Sequence, residues 1–397
     1  MPAVDPVVLH ADADAFFVAC HLAEDASLRG RPVAVAGDPR ARRGIVLSAS
    51  YEARAFGVRT TMLVGRAREL CPALLVVAPD HVLYGAYGER LGEVFDSFSP
   101  VVERLSIDEA WIDMTGGLAP WGGDPAACAR ALKAAVRERA SVTVSVGVAR
   151  NKYLAKQASD LDKPDGLTLL LDREGVERRL WPLPVGALYG CGGKTAHRLE
   201  ALGIATIGDL ANAPATHLAR ALGRGGPAMQ ARARGEDVVA VAAERDSARS
   251  VGAERTLERD VARAETAEPI LLALAEEVAG RLRAAGLIGR RVTLKYRTAS
   301  FATHTHQRTL AQPTAHAADI YAAARALFAQ RPARGPARLL GIQVSELTPA
   351  VRQARLGDGT RRHALDAAVD AIRERYGERA IGPARILRAP TRPPGSP

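Results

Sequence analysis

The chain has 397 residues, 47% of them hydrophobic and 25% charged, which is enough to bury more than one core. Its net charge is +10, and the location of this charge along the chain is more informative than its size. No apolar run approaches the ~20 residues that span a bilayer, and the N-terminus lacks the basic and apolar regions of a secretion signal, so we expect a cytoplasmic protein.

The first 160 residues predict alternating strands and helices. Apolar runs indicate strands at 7–13, 31–37, 44–50 and 142–149, and residues 101–114 are typical of two strands that meet at a tight turn. Helical spacing covers 51–56, 64–71, 81–98, 125–140 and 151–160. If residues 14–79 are an insertion, the remaining order of strands and helices is that of a ferredoxin-like fold.

The pattern changes from about residue 169. Short helices surround a glycine turn at 190–193, and a segment with little periodicity follows at 238–250. Between 251 and 347, two long helical patterns (266–285 and 314–331) and several strands indicate a second α+β unit. The chain ends in APTRPPGSP, a composition typical of disorder.

The positive charge is concentrated in that second unit. From Arg281 to Arg338 there are eleven Lys and Arg residues and a single acid, Asp319. Such an excess fits a track for nucleic acid, and a solvated basic face explains it equally well. The four cysteines are far apart and form no CxxC pair, which favours reduced thiols over disulfides or a zinc site.

Two acidic clusters stand at the ends of predicted strands, Asp12 with Asp14 and Asp108 with Glu109. The first and third strands of a ferredoxin-like sheet are neighbours, so these acids can converge. A buried acidic cluster is costly unless cations neutralise it. Either cluster alone would be an ordinary surface feature, but together they favour a site for two divalent ions ~3.5–4 Å apart.

With these acids, the sequence resembles the Y family of translesion DNA polymerases, most closely the polymerase IV type. The resemblance covers residues 7 to about 350, nearly all of the predicted folded chain. The matching stretches are LHADADAFF (9–17), LRGRPVAV (28–35), ASYEARAFGV (49–58), LSIDEAWIDMT (105–115), VSVGVARNKYLAKQASDLDKPDG (144–166) and VGALYGCGGKTAHRLEALGIATIGDL (185–210).

The resemblance implies a multidomain α+β fold, a right-hand polymerase with a ferredoxin-like palm. The implied domains are the palm (1–13 and 80–168), small fingers (14–79), a helix-hairpin-helix thumb (169–237), a linker (238–249), an α+β little finger (250–347) and a C-terminal tail (348–397).

The resemblance also implies the site residues. Asp12, Asp108 and Glu109 would be catalytic and, with the backbone carbonyl of Ala13, would hold two Mg²⁺ ions, with Mn²⁺ as an alternative, while Asp14 would be structural. The residues implied for binding a deoxynucleoside triphosphate are Phe16, Phe17, Ser48, Tyr51, Arg54 and Lys163, with Phe17 as the steric gate against ribonucleotides.

Primer–template DNA is the implied macromolecular partner. Glycines at a helix start let backbone amides approach a phosphate, and cations on a strand can follow the duplex backbone. The candidates are Gly190, Gly192 and Lys194 in the thumb, and Arg290, Arg291, Lys295 and Arg297 in the little finger. Lys152 and Lys156 lie one turn apart on a basic helix, where a structural role and a DNA contact fit them equally.

The sequence departs from the family pattern at a few positions. Trp111 replaces a usual tyrosine, and Leu47, Thr60 and Thr61 are bulkier than the residues that usually cover the nascent base pair, which would restrict bulky lesions. The peptide at 353–357, where relatives carry a sliding-clamp motif, lacks the terminal aromatic, so clamp binding is only a hypothesis.

The function we expect is a monomeric DNA polymerase that extends primers during lesion bypass and repair. One alternative is a catalytically silent DNA-binding accessory protein on the same fold, which retention of the acids disfavours. Another is a nucleotidyl cyclase, which would not need the glycine turn or the basic C-terminal unit.

Overall fold

The computed structural model describes residues 5–37, 44–243, 248–331, 335–350, 359–377 and 380–384. The chain divides into two compact units, Met1–Arg245 and Asp246–Pro397. The observed architecture is α+β, as predicted. Within the described ranges, no helix is long and apolar enough to cross a membrane. The four cysteines are buried free thiols.

The first unit contains nineteen of the numbered helices and strands in its described residues. In chain order they are β1 (Val8–Ala13), α1 (Phe16–Glu24), β2 (Val33–Ala36), β3 (Val46–Ala49), α2 (Tyr51–Ala55), α3 (Val64–Leu70), β4 (Leu75–Val77), α4 (His81–Asp96), β5 (Val102–Arg104), β6 (Glu109–Asp113), α5 (Pro125–Ala140), β7 (Val144–Ala149), α6 (Lys152–Ser159), β8 (Leu167–Leu170), α7 (Arg173–Arg179), α8 (Gly193–Glu200), α9 (Ile207–Asn212), α10 (Ala215–Leu222) and α11 (Gly225–Ala233).

The main sheet of this unit has the strand order β5-β6-β1-β7-β8. Strand β1 pairs antiparallel with both β6 and β7. The predicted adjacency of the first and third strands is therefore confirmed. The sequence did not predict β8, which pairs parallel with β7 at the edge of the sheet.

The two faces of β1 have different environments because successive side chains of a strand point to opposite sides. Leu9, Ala11 and Ala13 belong to the main core, which includes residues of α4 and α5. His10 and Asp12 point to the other face, across which α6 packs.

Helix α6 lies unusually close to β7. A Cβ atom added to Gly147 would lie 2.1 Å from the carbonyl oxygen of Ala155 and 2.4 Å from the amide nitrogen of Ser159. Only a glycine fits at this contact. The side chain of Asn151 caps α6 by accepting a hydrogen bond from the amide of Leu154. Together these features define where the helix begins and how near the sheet it lies.

The rest of the first unit is a small sheet and a helical region. Strand β2 lies between β3 and β4 in the three-stranded sheet, with α2 and α3 packed beside it. Residues of α7–α11 share a core with α6 that includes Tyr153 and Leu199. The indole nitrogen of Trp111 donates to the carbonyl of Lys152, which fixes this tryptophan behind the acids.

The second unit is an antiparallel sheet covered by helices, with the strand order β11-β10-β12-β9. Val292, Leu294 and Tyr296 face the core shared with the helices, so the alternate residues of their strand lie on the open face. The elements are β9 (Ser250–Val261), α12 (Ala264–Ala284), β10 (Leu287–Thr298), β11 (Thr303–Thr314), α13 (Ala317–Ala329), β12 (Ala337–Pro349) and α14 (Gly359–Tyr376).

The sequence missed two elements of this unit. Strand β9 begins where low periodicity indicated a tether, and α14 lies within the residues assigned to the tail. Helix α14 is held by charge, because the Arg283 guanidinium donates to both carboxylate oxygens of Asp370, at 2.6 Å each. The terminal APTRPPGSP segment lies outside the described residues.

Candidate active site

The predicted acids converge at one end of the main sheet. Asp12 lies directly opposite Glu109 in the pairing of β1 with β6. Asp108 is in the turn just before β6, and its carbonyl accepts a hydrogen bond from the amide of Ala13 at 3.1 Å. Asp12, Ala13 and Asp108 line the same cavity of about 210 Å³.

Two lysines contact the acids, one from helix α6 and one from the loop that follows α6. The Lys156 ammonium lies 2.7 Å from Asp12 Oδ2 and 2.8 Å from Glu109 Oε2. The Lys163 ammonium lies 2.7 Å from Asp12 Oδ1 and 2.9 Å from Asp160 Oδ1. Sequence reasoning placed Lys163 only through the family resemblance and left Lys156 without a role.

His10 is a further polar residue of the site that sequence reasoning missed. It is fully buried, and its Nδ1 lies 2.9 Å from the Ser159 hydroxyl. Its Nε2 lies 3.5 Å from Glu109 Oε2, which is longer than a good hydrogen bond. The alternation of β1 places His10 on the same face as Asp12, and that signal could have revealed it.

The pKa shifts show how the acids differ. Burial raises the pKa of Asp108, and the charge of Asp12 adds to this effect, while the Ser106 hydroxyl opposes it. Burial also opposes ionisation of Glu109, but contacts with His10 and Lys156 outweigh it and hold that pKa well below its usual range. Burial lowers the pKa of His10, which favours the neutral imidazole.

The donor set fits a hard divalent cation. Carboxylate and carbonyl oxygens are the ligands that Mg²⁺ and Mn²⁺ prefer. Asp108 has no ion-pair partner among the described residues, and its pKa is raised by burial, so it would gain most from a nearby cation. His10, Asp12 and Glu109 also offer ligand atoms within 4.8 Å of one another.

The predicted nucleotide-binding residues lie around the same cavity. Arg54 lies beside the Tyr51 ring, with 4.6 Å between the guanidinium carbon and the ring centroid. The Tyr51 hydroxyl is buried without a hydrogen-bond partner in the described parts of the chain. The structure brings together every residue predicted to contact the nucleotide, and the cavity is lined by Asp12, Ala13, Ala15, Phe16, Phe17, Leu47, Ser48, Tyr51, Arg54, Asp108 and Lys163.

The two phenylalanines have different surroundings. Helix α1 begins at Phe16, directly after Ala15 in a left-handed conformation with φ 48°. Phe16 is buried in the main core, whereas Phe17 is half-buried, and its ring centroid lies 4.5 Å from that of Tyr84. Phe17 is therefore the more accessible of the two rings.

Asp14 connects the end of β1 to the loop that carries Lys163. Its carboxylate accepts hydrogen bonds from the hydroxyls of Thr143 and Ser145 and from the amide of Asp165, each at 2.8 Å. These three hydrogen bonds hold the Asp14 carboxylate in place. These contacts support the structural role expected for it.

The predicted DNA contacts of the first unit lie at an exposed turn. Gly190 has φ 88°, a left-handed conformation that favours glycine. Gly192 is the N-cap residue of α8, and Lys194 is exposed on its first turn. The backbone geometry is that of a helix start open to solvent.

The predicted DNA contacts of the second unit lie on or beside β10. The Arg291 side chain is paired with Glu346 of the neighbouring strand β12 at 2.5 Å, and the Lys295 side chain is paired with Glu254 of β9, two strands away, at 2.6 Å. Arg297 donates to the Thr303 hydroxyl at 2.9 Å, and Arg290 to the carbonyl of Leu310 at 2.9 Å. The peptide considered for a sliding clamp, 353–357, lies outside the described residues.

Comparison with known proteins agrees with this geometry. Residues 11–160 match the family described as impB/mucB/samB, and residues 248–356 match its C-terminal domain. DNA polymerase IV of Moorella thermoacetica is 43% identical, with 96% of each chain covered, and DNA polymerase IV 1 of Bacillus subtilis is 35% identical, with 96% of this chain and 93% of the relative covered.

A solved Y-family DNA polymerase chimera has the same fold, with a TM-score of 0.78 and 26% identity over 86% of this chain and 99% of the chimera. The chain belongs to the Y family of DNA polymerases. Y-family membership confirms the resemblance inferred from the six sequence stretches and the predicted fold class.

Proposed function

We propose that this Y-family protein is a template-directed DNA polymerase that adds deoxyribonucleotides to a primer 3′ end during lesion bypass and repair. The observation that supports this most directly is the shared cavity. Two acids suited to divalent ions, Asp12 and Asp108, lie in one cavity with Tyr51, Arg54 and Lys163, which are suited to a triphosphate.

Two Mg²⁺ ions, or Mn²⁺ in their place, would be held by Asp12, Asp108, Glu109 and the Ala13 carbonyl. Bound there, the ions would lower the pKa of the primer hydroxyl and neutralise charge on the leaving pyrophosphate. The protein's part is to keep these oxygens converged at the end of the sheet.

The triphosphate would be oriented by cations and donors on three elements. The planar guanidinium of Arg54 suits phosphate oxygens, and Lys163 adds a second positive charge. Tyr51 and Ser48 offer hydroxyls, and the amides of Phe16 and Phe17 stand at the start of α1. The Phe17 ring would lie under the sugar and leave no room for a 2′-hydroxyl.

Primer–template DNA would be held through its phosphates, independently of sequence. The amides of Gly190 and Gly192 with Lys194 would contact one stretch of backbone, and the basic residues of β10 would contact another. Affinity would then fall steeply with salt concentration. We further propose that the enzyme acts as a cytoplasmic monomer, and that any sliding-clamp contact would use residues 353–357.

Primer extension on undamaged and lesion-bearing templates tests this function. The wild type should incorporate deoxyribonucleotides with Mg²⁺ or Mn²⁺, and Phe17→Ala should raise ribonucleotide incorporation by about 10²-fold. Phe16→Ala is the neighbouring control and should not relax sugar selection. Folded protein that binds DNA but incorporates nothing with either metal would instead support the silent accessory protein.

A further inference from the structure

Helix α6 carries two buried lysines one turn apart, and each is bound to acids on the sheet. Lys152 lies 2.7 and 2.6 Å from the two carboxylate oxygens of Glu103. Lys156 lies between Asp12 and Glu109. The two lysines share a helix, a residue type and a degree of burial, but only Lys156 contacts the acids of the cavity.

The Lys156 ammonium offsets the repulsion between the carboxylates of Asp12 and Glu109. Asp12 and Glu109 are direct cross-strand neighbours, and like charges in that arrangement repel. An ammonium between the two carboxylates converts this repulsion into two attractions. The Lys156 side chain is 9% exposed, so solvent screens these interactions only weakly.

Lys156 also changes the charge that a cation would encounter. Lys163 occupies the other oxygen of Asp12, so two ammonium groups face the three acids. Asp160 contacts both lysines from a more exposed position, where water screens its charge. The buried part of the site therefore retains about one unbalanced negative charge, which is a modest attraction for a divalent ion.

We propose that Lys156 is a positioning residue that holds Asp12 and Glu109 together and keeps the affinity of the free enzyme for divalent cations low. Tight metal binding then requires the additional negative charge of a nucleoside triphosphate, so metal and nucleotide occupy the site together. This inference rests on the proposed function, because it concerns the same metal site.

Mn²⁺ binding to the full chain without DNA or nucleotide tests the inference, with free Mn²⁺ measured by electron paramagnetic resonance. Lys156→Met keeps the length of the side chain and removes its charge, and it should bind Mn²⁺ about tenfold more tightly than the wild type. Lys152→Met is the matched control and should leave Mn²⁺ affinity unchanged. Lys156→Arg, which keeps the charge, should stay close to the wild type.

Thermal unfolding in EDTA and in Mn²⁺ supplies a second readout. Lys156→Met should unfold at a lower temperature in EDTA and recover more than the wild type when Mn²⁺ is added, whereas Lys152→Met should not recover. If Lys156→Met is unfolded in EDTA, Mn²⁺ should restore its fold, and failure to do so overturns the inference.

The outcomes separate this inference from the function on which it rests. Wild-type binding of Mn²⁺ with equal or weaker binding by Lys156→Met would overturn the role of Lys156 alone. A wild type that binds no Mn²⁺ even when a nucleoside triphosphate is present would overturn the proposed metal site and this inference with it.

Discussion

The acidic site of the first unit and strand β10 of the second both place like charges on a sheet, but they neutralise them differently. Asp12 and Glu109 are bridged by a buried lysine from a helix. Arg291 and Lys295 are each paired with a partly exposed acid of another strand of the same sheet. The first arrangement fixes geometry, whereas the second leaves the cations free to exchange partners.

The difference follows from screening. Buried charges interact strongly and cannot exchange their partners for water, whereas an exposed pair contributes only about 0–1 kcal/mol. A phosphate can therefore replace Glu254 or Glu346 at little cost. The excess of positive charge counted along the sequence from Arg281 to Arg338 is partly neutralised in the folded unit. At least five of its eleven cations face acids from outside that stretch: Arg281, Arg283, Arg291, Lys295 and Arg325.

The largest effect is expected at Asp108, the acid of the site that neither Lys156 nor Lys163 contacts. Asp108→Asn should reduce nucleotide incorporation by about 10³-fold or more, because an amide is a poor ligand for the ions that do the chemistry. Because burial raises the Asp108 pKa, its charge at neutral pH destabilises the fold, so the variant should melt about 2 °C higher in EDTA. A variant that melts lower would contradict this account of burial.

The next effect concerns pH. The Glu109 pKa is lowered in the folded state, so its charge stabilises the fold above the pKa of an unfolded glutamate, 4.5, and this contribution is lost as pH falls through the folded value. We expect Glu109→Gln to cost on the order of 1–2 kcal/mol at pH 7 and progressively less below about pH 4.5. Denaturant unfolding from pH 7 to 3 measures the difference, and a constant difference would refute it.

Substitution of Asp14 should have a smaller effect, on nucleotide binding and not on metal binding. Asp14→Asn weakens the attachment of the Lys163 loop, so we expect the KM for the nucleotide to rise about tenfold while Mn²⁺ binding is unchanged. Ser145→Ala removes only one donor to the same carboxylate and should give a weaker change in the same direction. Loss of Mn²⁺ binding in Asp14→Asn would place Asp14 in the metal site.

The smallest effect is expected on the exposed sheet. Glu254→Gln releases Lys295 and should raise DNA affinity about threefold at low salt, whereas Lys295→Ala should lower affinity and reduce the salt slope by about 1. Glu268→Gln, which frees Arg325 between the two helices, is the control and should change neither value. Equal affinities for all three variants would remove β10 from the DNA interface.

The sequence predicted those parts of the site that depend on local pattern. The apolar run before Asp12 and the strand pair around Asp108 were enough to predict that the acids meet. The role of Lys156 could not be predicted, because it depends on how closely a helix more than 40 residues later packs on the sheet. The partners of Arg291 and Lys295 were equally hidden, since they depend on the register of non-consecutive strands.

The fold was predicted less well where apolar periodicity is weak. Strand β9 is partly exposed along much of its length, so its sequence shows little of the apolar alternation that indicates a strand. Helix α14 was missed although Leu365, Val369 and Ile372 recur at helical spacing, because its residues were assigned to the tail. Charged contacts such as Arg283 with Asp370 hold this helix, and the sequence does not reveal them.

Gly147 has a consequence for engineering. Any side chain there would wedge α6 away from β7 and withdraw the tip of Lys156 from the two carboxylates. The position of the Lys156 ammonium therefore depends on Gly147, a residue that has no side chain of its own. A designer who transplants this acid pair onto another scaffold should also copy the glycine, because the distance between the helix and the strand determines whether the lysine contacts both carboxylates.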